Sequence, residues 1–272
     1  AFGASVDIPG ALVGKGYMEL GQEIGGQIDL TLVPISTRVC AGLKIAQIPE
    51  QDGGPATGVI VTLEVELPVC IPLANSGLGI YGFLGLFAMH YGRNESGLEN
   101  SAVPALAWLK DRADGNPTNL SAWKPAIDRW AFGVGAILGT VGTSVLLNLK
   151  GVLLLELPCP RILLLMKARM LQAMPALGDK NAEGNLLAVI DVDAAKGTLT
   201  IGLVADYTID PLIQLRLPVE AFFNLGDSKD WHLYLGRYDD PVQASLFGVV
   251  EGSGYLMLSG NGIPAHGSLP AV

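Results

Sequence analysis

The feature that most constrains this chain is a period-two alternation of apolar side chains, sustained over segments too long and too regular to be helical. From Thr198, Leu199, Ile201, Leu203, Ala205 and Tyr207 fall on one side, with Thr200, Gly202, Val204, Asp206 and Thr208 on the other. Ile213, Leu215, Leu217, Val219, Ala221 and Phe223 alternate in the same way against Gln214, Arg216, Pro218, Glu220 and Phe222. The Arg161 segment repeats the pattern, with Ile162, Leu164, Met166, Ala168 and Met170 opposite a row that holds Arg161, Lys167 and Arg169. About ten residues at about 3.3 Å each make strands of roughly 35 Å, longer than the usual five or six residues.

Turn signals separate these segments: Asp193-Ala-Ala-Lys-Gly197, Asn224-Leu-Gly-Asp227 and Asp239-Asp-Pro241. The expected fold class is therefore all-β with minor α. Long antiparallel meander sheets would form an elongated sandwich, an open barrel or an apolar trough. Residues 1–92 read as an N-terminal β region and 131–272 as a C-terminal antiparallel meander, the two forming either separate regions or one continuous domain. Between them, 93–130 is polar and rich in Pro and Asn, an insertion in which Pro104 to Arg112 reads as a short helix with Pro in its first turn. Proline also sits inside strand-like runs at Pro34, Pro68, Pro158 and Pro218, where its missing N–H predicts edges or bends.

Composition sharpens the problem that such strands pose. Hydrophobic residues make up 50% of the chain and charged residues 16%, well below the quarter usual in soluble domains. Apolar strand faces on this scale must be hidden by a second sheet, by helices, by neighbouring domains or subunits, or by lipid or another apolar ligand. Leu164, Met166, Leu203, Leu215 and Leu217 are the candidate lining of an apolar groove. The net charge of −9 leaves no cationic excess for a phosphate backbone, which excludes nucleic acid as a partner. The longest apolar runs, Leu78 to Met89 and the stretch from Ala131, are too short or too broken by charge to span a bilayer as helices.

No cluster specifies a reaction, and neither a cofactor nor a metal is expected. Gly77-Leu-Gly79-Ile-Tyr-Gly82 has the letters of a dinucleotide fingerprint, but the flanking residues read as strand and turn, so a tight Gly-rich turn is expected. His90, His232 and His266 have no ligand partner at metal spacing. Cys40, Cys70 and Cys159 lie among apolar residues and read as buried thiols. The carboxylate pairs Asp191/Asp193, Asp227/Asp230 and Asp239/Asp240 suit turns better than a glycosidase cleft. Trp108, Trp123 and Trp130 are expected to anchor the insertion to the sheet.

Val13-Gly-Lys-Gly-Tyr-Met-Glu-Leu20 resembles Val250-Glu-Gly-Ser-Gly-Tyr-Leu-Met-Leu258, as if a unit of the chain began again. GLGIYGFLGLFAMHYGRNE, DRWAFGVGAILGT, LLNLKGVLLLELP, PRILLLMKAR and WHLYLG together resemble an uncharacterised family of large, mainly bacterial proteins. The resemblance implies a piece of a larger β-rich protein, in keeping with a start at Ala1 without Met, and it implies no activity. The leading expectation is a non-catalytic structural or interaction module of a larger assembly, one form of it carrying a hydrophobic groove. A carboxylate-based hydrolase of polysaccharide is the alternative. A membrane β-barrel is disfavoured because Arg161, Lys167, Arg169 and several prolines punctuate the strands.

Overall fold

The structure, a computed structural model, describes residues 1–49, 55–142, 147–170, 186–209, 213–263 and 265–267. The strands are β1 (Phe2–Ile8), β2 (Leu12–Leu20), β3 (Glu23–Leu32), β4 (Thr37–Ile48), β5 (Ala56–Pro72), β6 (Leu78–Arg93), β7 (Trp123–Thr140) and β8 (Leu147–Leu157). Then follow β9 (Arg161–Met170), β10 (Leu186–Asp193), β11 (Thr198–Ile209), β12 (Ile213–Asn224), β13 (Trp231–Leu235), β14 (Val242–Leu246), β15 (Val250–Gly254) and β16 (Leu256–Ser259). Each pairs antiparallel with the next from β1 to β13, so the all-β meander expected from the alternation is what forms. It forms as one open sheet, and among the described residues no second sheet packs on it as a sandwich would require.

The last four strands fit the meander once β12 is seen to change partner along its length. Ile213–Arg216 pair with β14, whereas Val219–Phe223 pair with β13. β13 and β14 therefore lie end to end along one side of β12, with β16 and β15 end to end beyond them. Pro218, which has no N–H to give to a ladder, falls at the change of partner. The other strand prolines also sit at irregularities: Pro68 where the β5–β6 register shifts, Pro34 in a 3-10 turn, and Pro158 in the β8–β9 turn.

β6 ends at Arg93 and β7 begins at Trp123, so the polar insertion occupies 94–122, and 123–130 already belong to β7. Its helix α1 (Pro104–Asp111) has Pro at the first turn, where a missing N–H costs no hydrogen bond, and Lys110 in the last turn, facing the negative end of the helix dipole. Ala105, Trp108 and Leu109 of α1 are buried with Leu120, Ala122 and Trp123 against strand residues Ile60, Ala88, Leu154, Leu163 and Val189. Among the described residues the main core thus lies between this insertion and one face of the sheet.

Candidate functional site

Cross-strand register assigns every strand residue to one of two faces, because paired residues point the same way. One row runs Ala4, Gly16, Ile28, Ala41, Leu63, Gly85, Val134 and continues through Leu153, Leu164, Ile190, Ile201, Ala221, Leu233 and Leu258. It crosses the whole sheet without one polar side chain. The neighbouring row holds Phe2, Met18, Leu43, Val61, Phe87, Phe132, Leu155, Ile162, Val192, Leu199, Phe223 and Trp231. On this face the described polar residues before the β6 register shift are Thr37, Gln47, Thr57, Thr140 and Tyr207, at strand ends and uncharged. A charge enters only past the register shift between Met89 and Tyr91, where Lys124 pairs with Gly92.

This uncharged face is also open. Val134 is 67% exposed, Leu153 48% and Phe132 41%, and Phe83, Phe87, Leu63 and Ile162 are exposed with them. Phe87, Trp130 and Phe132 form a cluster at the end near the insertion, with Trp130 stacked on Phe132 at 6.5 Å and Phe87 edge-on to both. All five candidate groove residues lie here, half-buried: Leu164 on β9 with Met166, Leu203 on β11, and Leu215 and Leu217 on β12. Met166 and Leu203 share a row through Ala188. They form part of one continuous surface, since the row runs on into Val219 and Leu235.

The opposite face carries the charge. Glu64 on β5 receives Lys150 on β8, whose Nζ lies 2.9 Å from both carboxylate oxygens. The insertion joins this pair: Asn116 Nδ2 donates to Glu64 at 3.0 Å, and the Thr118 hydroxyl donates to the same oxygen. β5 and β8 are three strand spacings apart, about 14 Å in a flat sheet, and side chains standing upright would keep their tips that far apart. The contact therefore requires the sheet to curve with its charged face concave. A second network joins the start of the insertion to β8–β10. Arg93 holds Glu156 at 2.7 and 3.0 Å and Glu95 at 2.5 Å, Arg161 holds Asp191 at 2.8 and 2.5 Å, and Arg93 lies 5.4 Å over Trp108. Forked guanidinium–carboxylate pairs of this kind fix orientation as well as charge.

Two glycines mark the insertion's footprint on the wall. Leu120 sits so close over Gly42 that a Cβ there would lie 2.8 Å from its methyl, and Val103 and Leu106 cover Gly202 in the same way. Beside α1, an open cleft of about 370 Å³ is bordered by Lys110, Arg216, Glu220, Tyr234 and Arg237. Within it Glu220 contacts His232 at 2.7 Å and Arg237 at 3.3 Å.

The remaining candidates fall into structural positions. The Gly77–Gly82 motif is the β5–β6 turn and the start of β6: Gly77 has φ +74°, and a Cβ at Gly82 would strike the Val65 carbonyl. His90 sits at the β6 register shift with φ +54°, its Nδ1 accepting from the Asp128 N–H, and His232 stacks between Phe222 and Tyr234. Asp191 is held by Arg161, Asp193 accepts from the Lys196 N–H in a turn, Asp227 accepts from the Lys229 N–H, and Asp240 pairs with Arg216. Two expectations are corrected. Cys159 is exposed in the β8–β9 turn and Cys70 is half-buried near the end of β5, while Cys40 is half-buried within β4 on the charged face, between Asp29 and Glu64, where Gln27 Nε2 donates to its Sγ at 3.0 Å. Trp108 and Trp123 do anchor the insertion, donating to the Ala122 and Pro117 carbonyls, but Trp130 belongs to the uncharged face.

No family model matches the chain, and no curated protein or solved structure matches it either. Function is therefore read from the two faces of the sheet.

Proposed function

We propose that this chain is a lipid-contacting β-wall: a structural module whose uncharged face meets acyl chains while its charged, insertion-lined face borders an aqueous space. The observation that carries the reading is the segregation of charge. A surface without charge across most of the width of the sheet, polar only at strand ends, offers little to a polar partner, and water is a poor neighbour for so many exposed Leu, Val and Phe side chains. Dimensions agree. β8 has 11 residues and β3 and β9 have 10, matching the roughly 9–11 residues of a tilted membrane strand whose length of about 35 Å at about 45° spans an apolar band near 25 Å, while β5, β6 and β7, with 17, 16 and 18 residues, extend past such a band. The Phe87, Trp130 and Phe132 cluster stands at one end of the band, where aromatic rings favour a membrane interface.

The argument against a membrane strand from Arg161, Lys167 and Arg169 loses its force, since all three lie in the charged-face register with Glu156, Lys150 and Asn148. No described helix is long and apolar enough to cross a membrane, which says nothing about strands. The reading is non-catalytic: the carboxylates of the charged face with assigned partners are tied to arginine, lysine or histidine and serve to hold the insertion. Mixing the full chain with phosphatidylcholine vesicles whose acyl chains carry bromine tests it. The expected result is co-flotation with lipid and quenching of tryptophan fluorescence that falls in Trp130→Phe. A chain that stays dispersed in detergent-free buffer as a monomer, with unquenched tryptophan, would contradict it.

A further inference from the structure

The resemblance between the two ends of the chain is a resemblance of hairpins. In β1–β2, Val6 pairs with Gly14 and Ile8 with Leu12; in β14–β15, Ala244 pairs with Gly252 and Leu246 with Val250, each residue displaced by the same interval. The turns agree as well. Ala11 N–H donates to Ile8 O at 2.9 Å and Val249 N–H to Leu246 O at 3.1 Å, and the turn glycines Gly10 and Gly248 have φ of +71° and +62°.

The two hairpins differ in what lies beside them. β2 is covered along its far edge by β3, and its glycines make that fit possible. A Cβ at Gly14 would lie 2.5 Å from Leu30 Cδ2, and one at Gly16 would lie 3.0 Å from Ile28 Cγ2. The counterparts on β15, Gly252 and Gly254, have nothing within 4 Å of the same position, and all five residues of β15 are exposed. Among the described strands none pairs with the outer side of β15 or β16, which together make an edge as long as β2, with Leu256 and Leu258 continuing the uncharged face.

We infer that the β15–β16 edge is a docking site for an added antiparallel strand of the β3 type, with large aliphatic side chains at the two positions facing Gly252 and Gly254. Backbone N–H and C=O groups on an open edge supply the affinity, and the two glycines supply the selectivity for Leu and Ile there. The partner strand would run with its apolar positions on the uncharged face. On the other face, Glu251 favours a basic residue where β3 has Thr31, which stands opposite Val13. This inference rests on register and glycine packing and is independent of what covers the uncharged face.

The test uses the full chain, in mild detergent, and a fluorescent peptide of the β3 sequence, Glu23 to Leu32. Saturable binding is expected, weakened at least about tenfold by Leu30→Ala in the peptide, which removes most of a buried side chain. A Thr31→Lys peptide is expected to bind more tightly than the parent. Gly252→Val in the full chain should abolish binding while leaving the circular dichroism spectrum unchanged. With Cys40, Cys70 and Cys159 replaced by alanine, Ser253→Cys should form a disulfide with an Asp29→Cys peptide, by analogy with the Lys15–Asp29 pairing. Binding that a scrambled peptide matches, binding that survives Gly252→Val in a folded chain, or no binding at all would each overturn the assignment.

Discussion

At the scale of single residues, the charged face is where substitution should matter most. Glu64 keeps only 5% of its side chain exposed, and its partners are Lys150, Asn116 and Thr118. Removing Lys150 strands a buried carboxylate, a loss of about 3–5 kcal/mol, whereas replacing both charges with neutral groups of similar size costs much less. Lys150→Ala is therefore expected to lower the urea midpoint substantially, and the double variant Glu64→Gln/Lys150→Met to recover most of it. Equal midpoints for the two variants would mean that the pair does not hold the fold. Neither partner was legible from sequence: Glu64 and Lys150 are far apart in the chain, and only the curvature of the sheet brings them together. The prolines were legible, because a residue without an N–H can be accommodated only where pairing lapses, and Pro218 and Pro68 sit at such lapses.

At the scale of elements, alternation fixed the strands and their antiparallel order, since a one-residue slip would have turned every apolar side chain to the wrong face. The same alternation already held the information about charge. Arg161, Lys167 and Arg169 share one parity with each other and oppose Leu164 and Met166, so they line a face rather than interrupt a strand. Reading them one by one as interruptions obscured that. The insertion was visible as a change in composition and its helix from Pro104, but its landing place was not, because composition says nothing about which face a loop will cover. Gly42 is the clearest marker of that landing place. Gly42→Leu would push Leu120 off the wall, at a cost of about 1–3 kcal/mol for overpacking. Hydrogen exchange should then rise across 116–122 with little change in β8 or β9. Uniformly raised exchange throughout the sheet would instead show that the insertion and the wall unfold as one unit.

At the scale of the whole molecule, one open sheet with its strand-borne charges turned to its concave side, save beside the insertion where Lys124 stands, and a broad apolar surface on the other is an arrangement that asks for an apolar surrounding. The low charge content predicted the shortage of polar surface, and the structure places it: the shortage belongs to one face only. A nitroxide scan of β8, one cysteine at a time from Leu147 to Leu157 in a background without native cysteines, tests this most directly in vesicles. Leu149, Leu153 and Leu155 should be accessible to oxygen dissolved in the acyl chains and shielded from a water-soluble nickel reagent, with Asn148, Lys150 and Glu156 showing no such lipid exposure. A scan without the two-residue period, or with the nickel reagent reaching Leu153 as readily as the turn at Cys159, would contradict a lipid-facing wall.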